Sequence, residues 1–127
     1  MILINFAYPL TSTQIAAIES LFSQKIEKVI SVEVSLDNDR SFKAQVEELL
    51  AGIDVPLADL MTHPVAVILP SHAFIAALVL VELQGRIGRF PAIIRFMPKP
   101  DSLPMVYEVA EIVDLQGLRD EIRRNRA

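Results

Sequence analysis

Residues 65–83 read VAVILPSHAFIAALVLVEL and decide the fold. The β-branched and aliphatic residues up to Pro70 predict a buried strand, and the long apolar run after the break predicts a buried helix. Pro70, Ser71 and His72 at the break, with Glu82 further on, argue against a membrane span of similar length. A strand followed at once by a helix is the unit of α/β sheets, which bind ligands where their strands end.

Strands and helices alternate on both sides of this stretch. Apolar runs predict four further strands, at 2–6, 29–36, 92–97 and 106–113. Helices are predicted after Thr11, which forms a capping box with Gln14, and after Ser41. Leu115, Leu118 and Ile122 predict a short closing helix with an arginine-rich end. No crossover helix separates the last two strands, so the final strand is expected to run antiparallel. The order predicts a single α/β domain over 1–127, a three-layer Rossmann-like sandwich with about five strands, mostly parallel.

Composition limits the classes of partner and cofactor. The 127-residue chain has a net charge of −4, which disfavours long nucleic acids and anionic membranes. It contains no cysteine, and its two histidines, His63 and His72, show no metal-ligand spacing, so neither a metal nor another cofactor is expected. The apolar start MILINFAYPL lacks a basic segment and a cleavage site, which predicts a cytoplasmic protein.

The predicted helix 73–84 is apolar on nearly all sides, with Glu82 as its only charge. A helix on the surface of a single domain needs only one apolar stripe. We therefore expect the outer side of this helix to be covered by a second copy of the chain, as a dimer or a higher homo-oligomer.

The carboxyl ends of the first three strands should gather 5–9, 36–40 and 70–72 around one crevice. Ser71 at a helix start suits a phosphate, although it could be only an N-cap. His72 could donate to a phosphate or act as a general acid, or simply face water. Asn5 could contact a base or ribose, or only satisfy neighbouring backbone, and Tyr8 could stack on a base.

Two arginines are further candidates for anion binding. Arg95 lies within an apolar strand, so it should meet either a carboxylate, the favoured alternative, or an anionic ligand. Arg86 lies in a Gly-Arg-Ile-Gly turn after a helix, on the other edge of the sheet. This turn is interpreted as mostly structural, unless an oligomer brings it to another subunit's site. No phosphate-loop, dinucleotide, paired-carboxylate or zinc motif is present, so no catalytic residue is assigned.

Three stretches together resemble a family of small CRISPR-associated accessory proteins, the fifteenth of the Csx series, found beside type III interference operons. They are LINFAYPLT at 3–11, VELQGRIGRFPAIIR at 81–95 and YEVAEIVDLQGLRDEIRR at 107–124. Family sequences more often have Ser-His where this chain has Ala7-Tyr8, and a histidine where it has Gln84. These departures weaken any acid–base role for a histidine at either place.

The resemblance implies a link to the cyclic oligoadenylate messengers of type III antiviral signalling. It leaves two main functions open, beside a structural subunit that docks on another Cas protein, which would leave the crevice unexplained. One is a binder that sequesters the messenger, most simply cyclic tetra-adenylate; the other is a metal-independent ring nuclease that aligns a ribose 2′-hydroxyl with its phosphodiester. Few basic residues and histidines are expected at the crevice, which favours the non-catalytic binder.

Overall fold

Five strands form one mixed sheet with helices on both faces in the computed structural model, which describes residues 1–126. In chain order the elements are β1 Ile2–Asn5, α1 Ser12–Phe22, β2 Lys28–Ser31, α2 Phe42–Ala51, α3 Leu57–Thr62, β3 Val65–Ile68, α4 Ala73–Ile87, β4 Ala92–Pro98, β5 Tyr107–Asp114 and α5 Leu115–Asn125.

The strand order across the sheet is β2-β1-β3-β4-β5. β1 pairs in parallel with β2 and β3, β3 pairs in parallel with β4, and β5 is the antiparallel edge strand beside β4. The parallel pairs are joined by helical crossovers, whereas β4 and β5 are joined by a non-helical turn, which permits only the antiparallel direction. The predicted α/β, Rossmann-like sandwich is therefore confirmed.

The two faces of the sheet bury separate clusters of apolar side chains. On one face, alternate residues of β1 and β3 pack against α2, α3 and α4, with Val46, Val79 and Leu83 at most 1% exposed. On the other face, Leu3, Ala66 and Ile68 pack against Ile18 of α1. Burial of one aliphatic side chain of this size contributes about 1.5–3 kcal/mol, so the two central strands hold the layers together.

Several local predictions are confirmed and several are corrected. The Thr11–Gln14 capping box forms as predicted. Helical spacing predicts that Leu21 faces the core together with Ile18, but Leu21 is 58% exposed. β2, predicted to run over 29–36, spans only Lys28–Ser31; one further bond, from the amide of Val32 to the carbonyl of Asn5 on β1 (2.9 Å), follows it. α4 continues past Gly85 and ends only at Gly88, whose φ of +81° in the left-handed region favours glycine.

α4 has the apolar outer surface that its sequence predicts. Its buried side chains, Ile75, Val79, Leu83 and Ile87, recur every four residues, while Phe74 and Val81 on the outer side are 61% and 67% exposed. α5 contributes no buried residue to the core. Of the helices within residues 1–126, none has the length and apolar character required to cross a membrane.

Candidate functional site

The carboxyl rim is the end of the sheet at which β1, β3 and β4 finish; we define it as residues 6–9, 36–43, 69–74 and 98–107. The chain leaves β1 toward α1 on one face and leaves β3 toward α4 on the other. The loops after these adjacent strands therefore diverge, which opens a crevice between them. The amide of Phe6 donates to the carbonyl of Ile68 (3.0 Å), so both loops start side by side.

Asn5, the last residue of β1, holds the loop that forms one wall of this crevice. Its side chain is 1% exposed. Its Nδ2 donates to the carbonyl oxygen of Tyr8 (2.8 Å) and its Oδ1 accepts from the amide of Ala7 (2.9 Å). Of the two roles predicted for Asn5, these bonds agree with hydrogen bonding to neighbouring backbone. The residue holds the turn that carries Tyr8, whose side chain is 90% exposed.

Ser71 and His72 precede α4 at the other wall of the crevice. The helix begins at Ala73 with His72 as N-cap, so Ser71 lies one position outside the cap that its sequence suggested. No side chain within residues 1–126 caps this terminus. The first helical bond runs from the amide of Ala76 to the carbonyl of His72 (2.9 Å), which leaves the preceding amides without a helical acceptor. An oxyanion could accept hydrogen bonds from them.

An aromatic group adjoins this helix start. The Phe42 ring contacts the His72 ring edge-on, with centroids 5.7 Å apart, and the Phe74 ring at 6.0 Å. Phe42 is half-buried at the first position of α2, whereas His72 and Phe74 are exposed. The contact fixes His72 beside the crevice without a carboxylate partner, since no carboxylate of the described residues lies within 4 Å of its ring. His72 therefore lacks the acidic neighbour that orients a general base in many enzymes.

The loop from Leu36 to Ser41 completes the rim on the side of β2. Gln45 of α2 is 6% exposed, and its amide donates to the carbonyls of Asp37 (2.8 Å) and Arg40 (3.2 Å) while it accepts from the Asp37 amide (2.8 Å). Arg40 itself is paired with Glu48 (2.8 Å). Gln45 was not anticipated from the sequence, because a glutamine on a helix carries no sign of which loop it will contact.

The two other candidate arginines lie away from the crevice. Arg95 pairs with Glu111 directly opposite on β5 (2.6 Å), which confirms the carboxylate alternative, and both side chains are more than half exposed. Arg86 pairs with Glu82 (3.0 Å) in the last turn of α4. It follows His72 by 14 residues, which is roughly 21 Å along a helix axis. Neither arginine joins Ser71 and His72 within one chain.

Four exposed rim residues were missed by the sequence reasoning: Lys43, Phe74, Lys99 and Tyr107. The two lysines have no carboxylate within 4 Å among the described residues. The rim also carries Asp37, Asp39 and Asp101, so its positive and negative side chains are balanced. Tyr107 pairs with Pro98 at the start of β5, which brings it to the end of β4. The only feature of the sequence that could have indicated Tyr107 as a rim residue is its position just after a proline-rich turn.

A shallow groove lies outside the crevice, between β2 and α2. Its volume is about 410 Å³, and its lining includes Ile30, Glu33, Glu48 and Asp54. The carboxylates repel anions, so this groove suits a phosphate ligand less well than the crevice does. Across residues 1–126, no group of three or more His, Asp or Glu side chains is arranged to hold a metal ion.

Comparison with known proteins does not assign a family to the chain. No family model matches the sequence, and neither a curated protein nor a solved structure gives a match.

Proposed function

We propose that the protein binds a cyclic oligoadenylate messenger, most simply cyclic tetra-adenylate, and sequesters it during type III CRISPR antiviral signalling. The observation that carries the proposal is the uncapped start of α4 at the crevice, with Ser71 and His72 exposed beside it. Backbone amides, a hydroxyl and an imidazole together match the oxygens of a phosphodiester. The resemblance described from the sequence supplies the class of messenger.

The charge distribution suits a small anion better than a long polymer. The chain is acidic overall, with a net charge of −4. Such a protein must hold phosphates with a few local donors instead of a broad basic surface. Lys43 and Lys99 are exposed lysines of the rim.

The side chains at the crevice favour binding over cleavage. A metal-independent ring nuclease aligns the ribose hydroxyl and also benefits from a positioned acid or base. His72 is the only histidine on the rim, and its contact in the structure is the apolar ring of Phe42. Asn5 is occupied by backbone bonds. The ring is therefore expected to be held intact.

Incubation with radiolabelled cyclic tetra-adenylate tests the proposal, with a gel shift for binding and chromatography for products. We expect a shifted complex and no cleaved product. His72→Ala should weaken binding roughly tenfold, the loss expected for one charge-assisted hydrogen bond. Ser71→Ala should weaken it less, because the backbone amides remain.

His63→Ala is the matched control, since it removes the same side chain just before β3, at the opposite end of the strand. Binding of this variant should equal that of the parent. If the parent binds no ring, the proposal is wrong; if His63→Ala and His72→Ala lose affinity equally, the crevice is not the site. Cleaved product from the parent would establish the ring-nuclease alternative.

A further inference from the structure

The exposed aromatic side chains of this protein all lie on the carboxyl rim. The chain has six phenylalanines, two tyrosines and no tryptophan, all within the described residues. Five of the eight rings are buried or half-buried. The other three, Tyr8, Phe74 and Tyr107, are 90%, 61% and 53% exposed. They follow or border the ends of β1, β3 and β4, respectively.

Tyr8 and Tyr107 each stand on a backbone carbonyl that accepts a side-chain hydrogen bond, and Phe74 has a ring contact. Asn5 donates to the carbonyl of Tyr8 (2.8 Å). The side chain of Gln14 donates to the carbonyl of Tyr107 (2.9 Å). The ring of Phe74 contacts that of Phe42, with centroids 6.0 Å apart. Rings presented on a fixed backbone lose little conformational entropy when they bind a ligand, which is the advantage of preorganised binding surfaces.

The surroundings of the rings indicate a ligand that carries bases and phosphates. An exposed ring alone could equally contact an apolar peptide. Here Phe74 lies in the first turn of α4, beside the uncapped amides, and Tyr107 follows the turn that carries Lys99. An aromatic ring beside free amides that can bind a phosphate is a combination that suits an unpaired nucleotide.

We infer that Tyr8, Phe74 and Tyr107 are stacking positions for unpaired purine bases, and that they make the carboxyl rim selective for adenine over uracil. The identity of the base is adopted from the proposed function. The stacking itself follows from the placement of the rings. Purines present a larger π-face than pyrimidines, so loss of one ring should cost more for an adenine ligand than for a uracil ligand.

Fluorescence of 2-aminopurine tests this inference directly, since the base is quenched when it stacks and the chain has no tryptophan to interfere. Two probes, each with one 2-aminopurine, are titrated: cyclic tetra-adenylate and linear tetra-adenylate. Unlabelled cyclic tetra-adenylate and tetra-uridylate then compete for the bound probe. The parent should quench both probes, and the adenine ring should compete better than the uracil ring.

Phe74→Ala and Tyr107→Ala should each reduce quenching and weaken binding roughly 5- to 150-fold, the range found for single base-stacking residues. Tyr107→Phe keeps the ring and should bind as the parent does. Ile122→Ala removes an equally exposed apolar side chain from α5, away from the rim, and should have no effect. Circular dichroism verifies that each variant is folded.

The outcomes separate this inference from the proposed function. Quenching of the linear probe without binding of the ring would support stacking and refute the messenger. Binding of the ring with equal affinity by the parent, Phe74→Ala and Tyr107→Ala would refute stacking while the proposed function stands. Equal competition by the adenine and uracil rings would refute purine selectivity.

Discussion

At the scale of single residues, some side chains next to the rim hold the backbone of a rim loop in place. Asn5 is the clearest case, because its position after a buried strand agreed equally with ligand contact and with a structural role. In the structure, the Asn5 side chain accepts a hydrogen bond from the amide of Ala7 and donates one to the carbonyl of Tyr8. The side chain therefore sets the shape of one crevice wall, and Tyr8 is the residue of this segment that a ligand can reach.

Asn5→Ala should destabilise the protein by about 1–3 kcal/mol, since two buried hydrogen bonds are lost and their backbone partners are left unpaired. Urea denaturation measures the change in the free energy of unfolding. Ser71→Ala, at an exposed position outside the helix cap, is the control and should remain within about 0.5 kcal/mol of the parent. An Asn5→Ala variant as stable as the parent would show that water replaces the amide at no cost.

Among the elements, α4 contributes both to the core and to the candidate site. One side of it fills the core, and its amino end lies at the crevice. Beyond Phe74, its outer side exposes Ala77 and Val81, whereas its two charged residues, Glu82 and Arg86, are paired with each other. A neutral apolar stripe of this kind is unfavourable in water and suits a second, identical stripe related by a two-fold axis.

Val81→Glu should convert a dimer into a monomer, because the new charge would have to be buried without a partner at the interface. Light scattering at micromolar concentration measures the mass of the parent and the variant. Ile122→Glu places the same charge at an exposed position on α5 and should leave the mass unchanged. A parent that is monomeric under these conditions would contradict the prediction. Val81 lies seven residues after Phe74, roughly 10 Å along the helix, so this test is separate from that of stacking.

At the scale of the whole molecule, the side chains that could bind a metal are spread apart. His63 and His72 lie at opposite ends of β3, and the chain has no cysteine. Within residues 1–126, acidic side chains do not gather into a group able to hold an ion. The proposed function therefore assigns phosphate binding to donors of the protein.

Treatment with EDTA should therefore leave the affinity for cyclic tetra-adenylate unchanged. The gel shift is repeated in excess chelator, and a parallel titration contains added Mg²⁺. Both dissociation constants should agree with that of the untreated protein within experimental error. Loss of binding in EDTA that a divalent ion restores would show that a metal takes part.

The fold class could be predicted from the sequence because its determinants are local. The VAVIL strand, the capping box at Thr11 and the turn without a crossover helix before β5 each act over a few residues, and together they define a mostly parallel sheet with one antiparallel strand. The predictions that were wrong, the burial of Leu21 and the end of α4, depend on packing between distant segments. On α1 it is Ile18 and Phe22 that pack into the core, which leaves Leu21 exposed. Gly85 remains helical because α4 is held by the buried side chains on either side of it, Leu83 and Ile87.

Only the tertiary structure decided which residues meet at the rim. Strand order is not encoded in any one segment, since each strand could satisfy its hydrogen bonds beside several partners. The order β2-β1-β3-β4-β5 places the loop after β1 beside that after β3 and brings Tyr107 to the end of β4. Residues 99 positions apart, Tyr8 and Tyr107, thereby border one end of the sheet. The sequence determined the elements and their buried sides, whereas long-range strand pairing determined the candidate site.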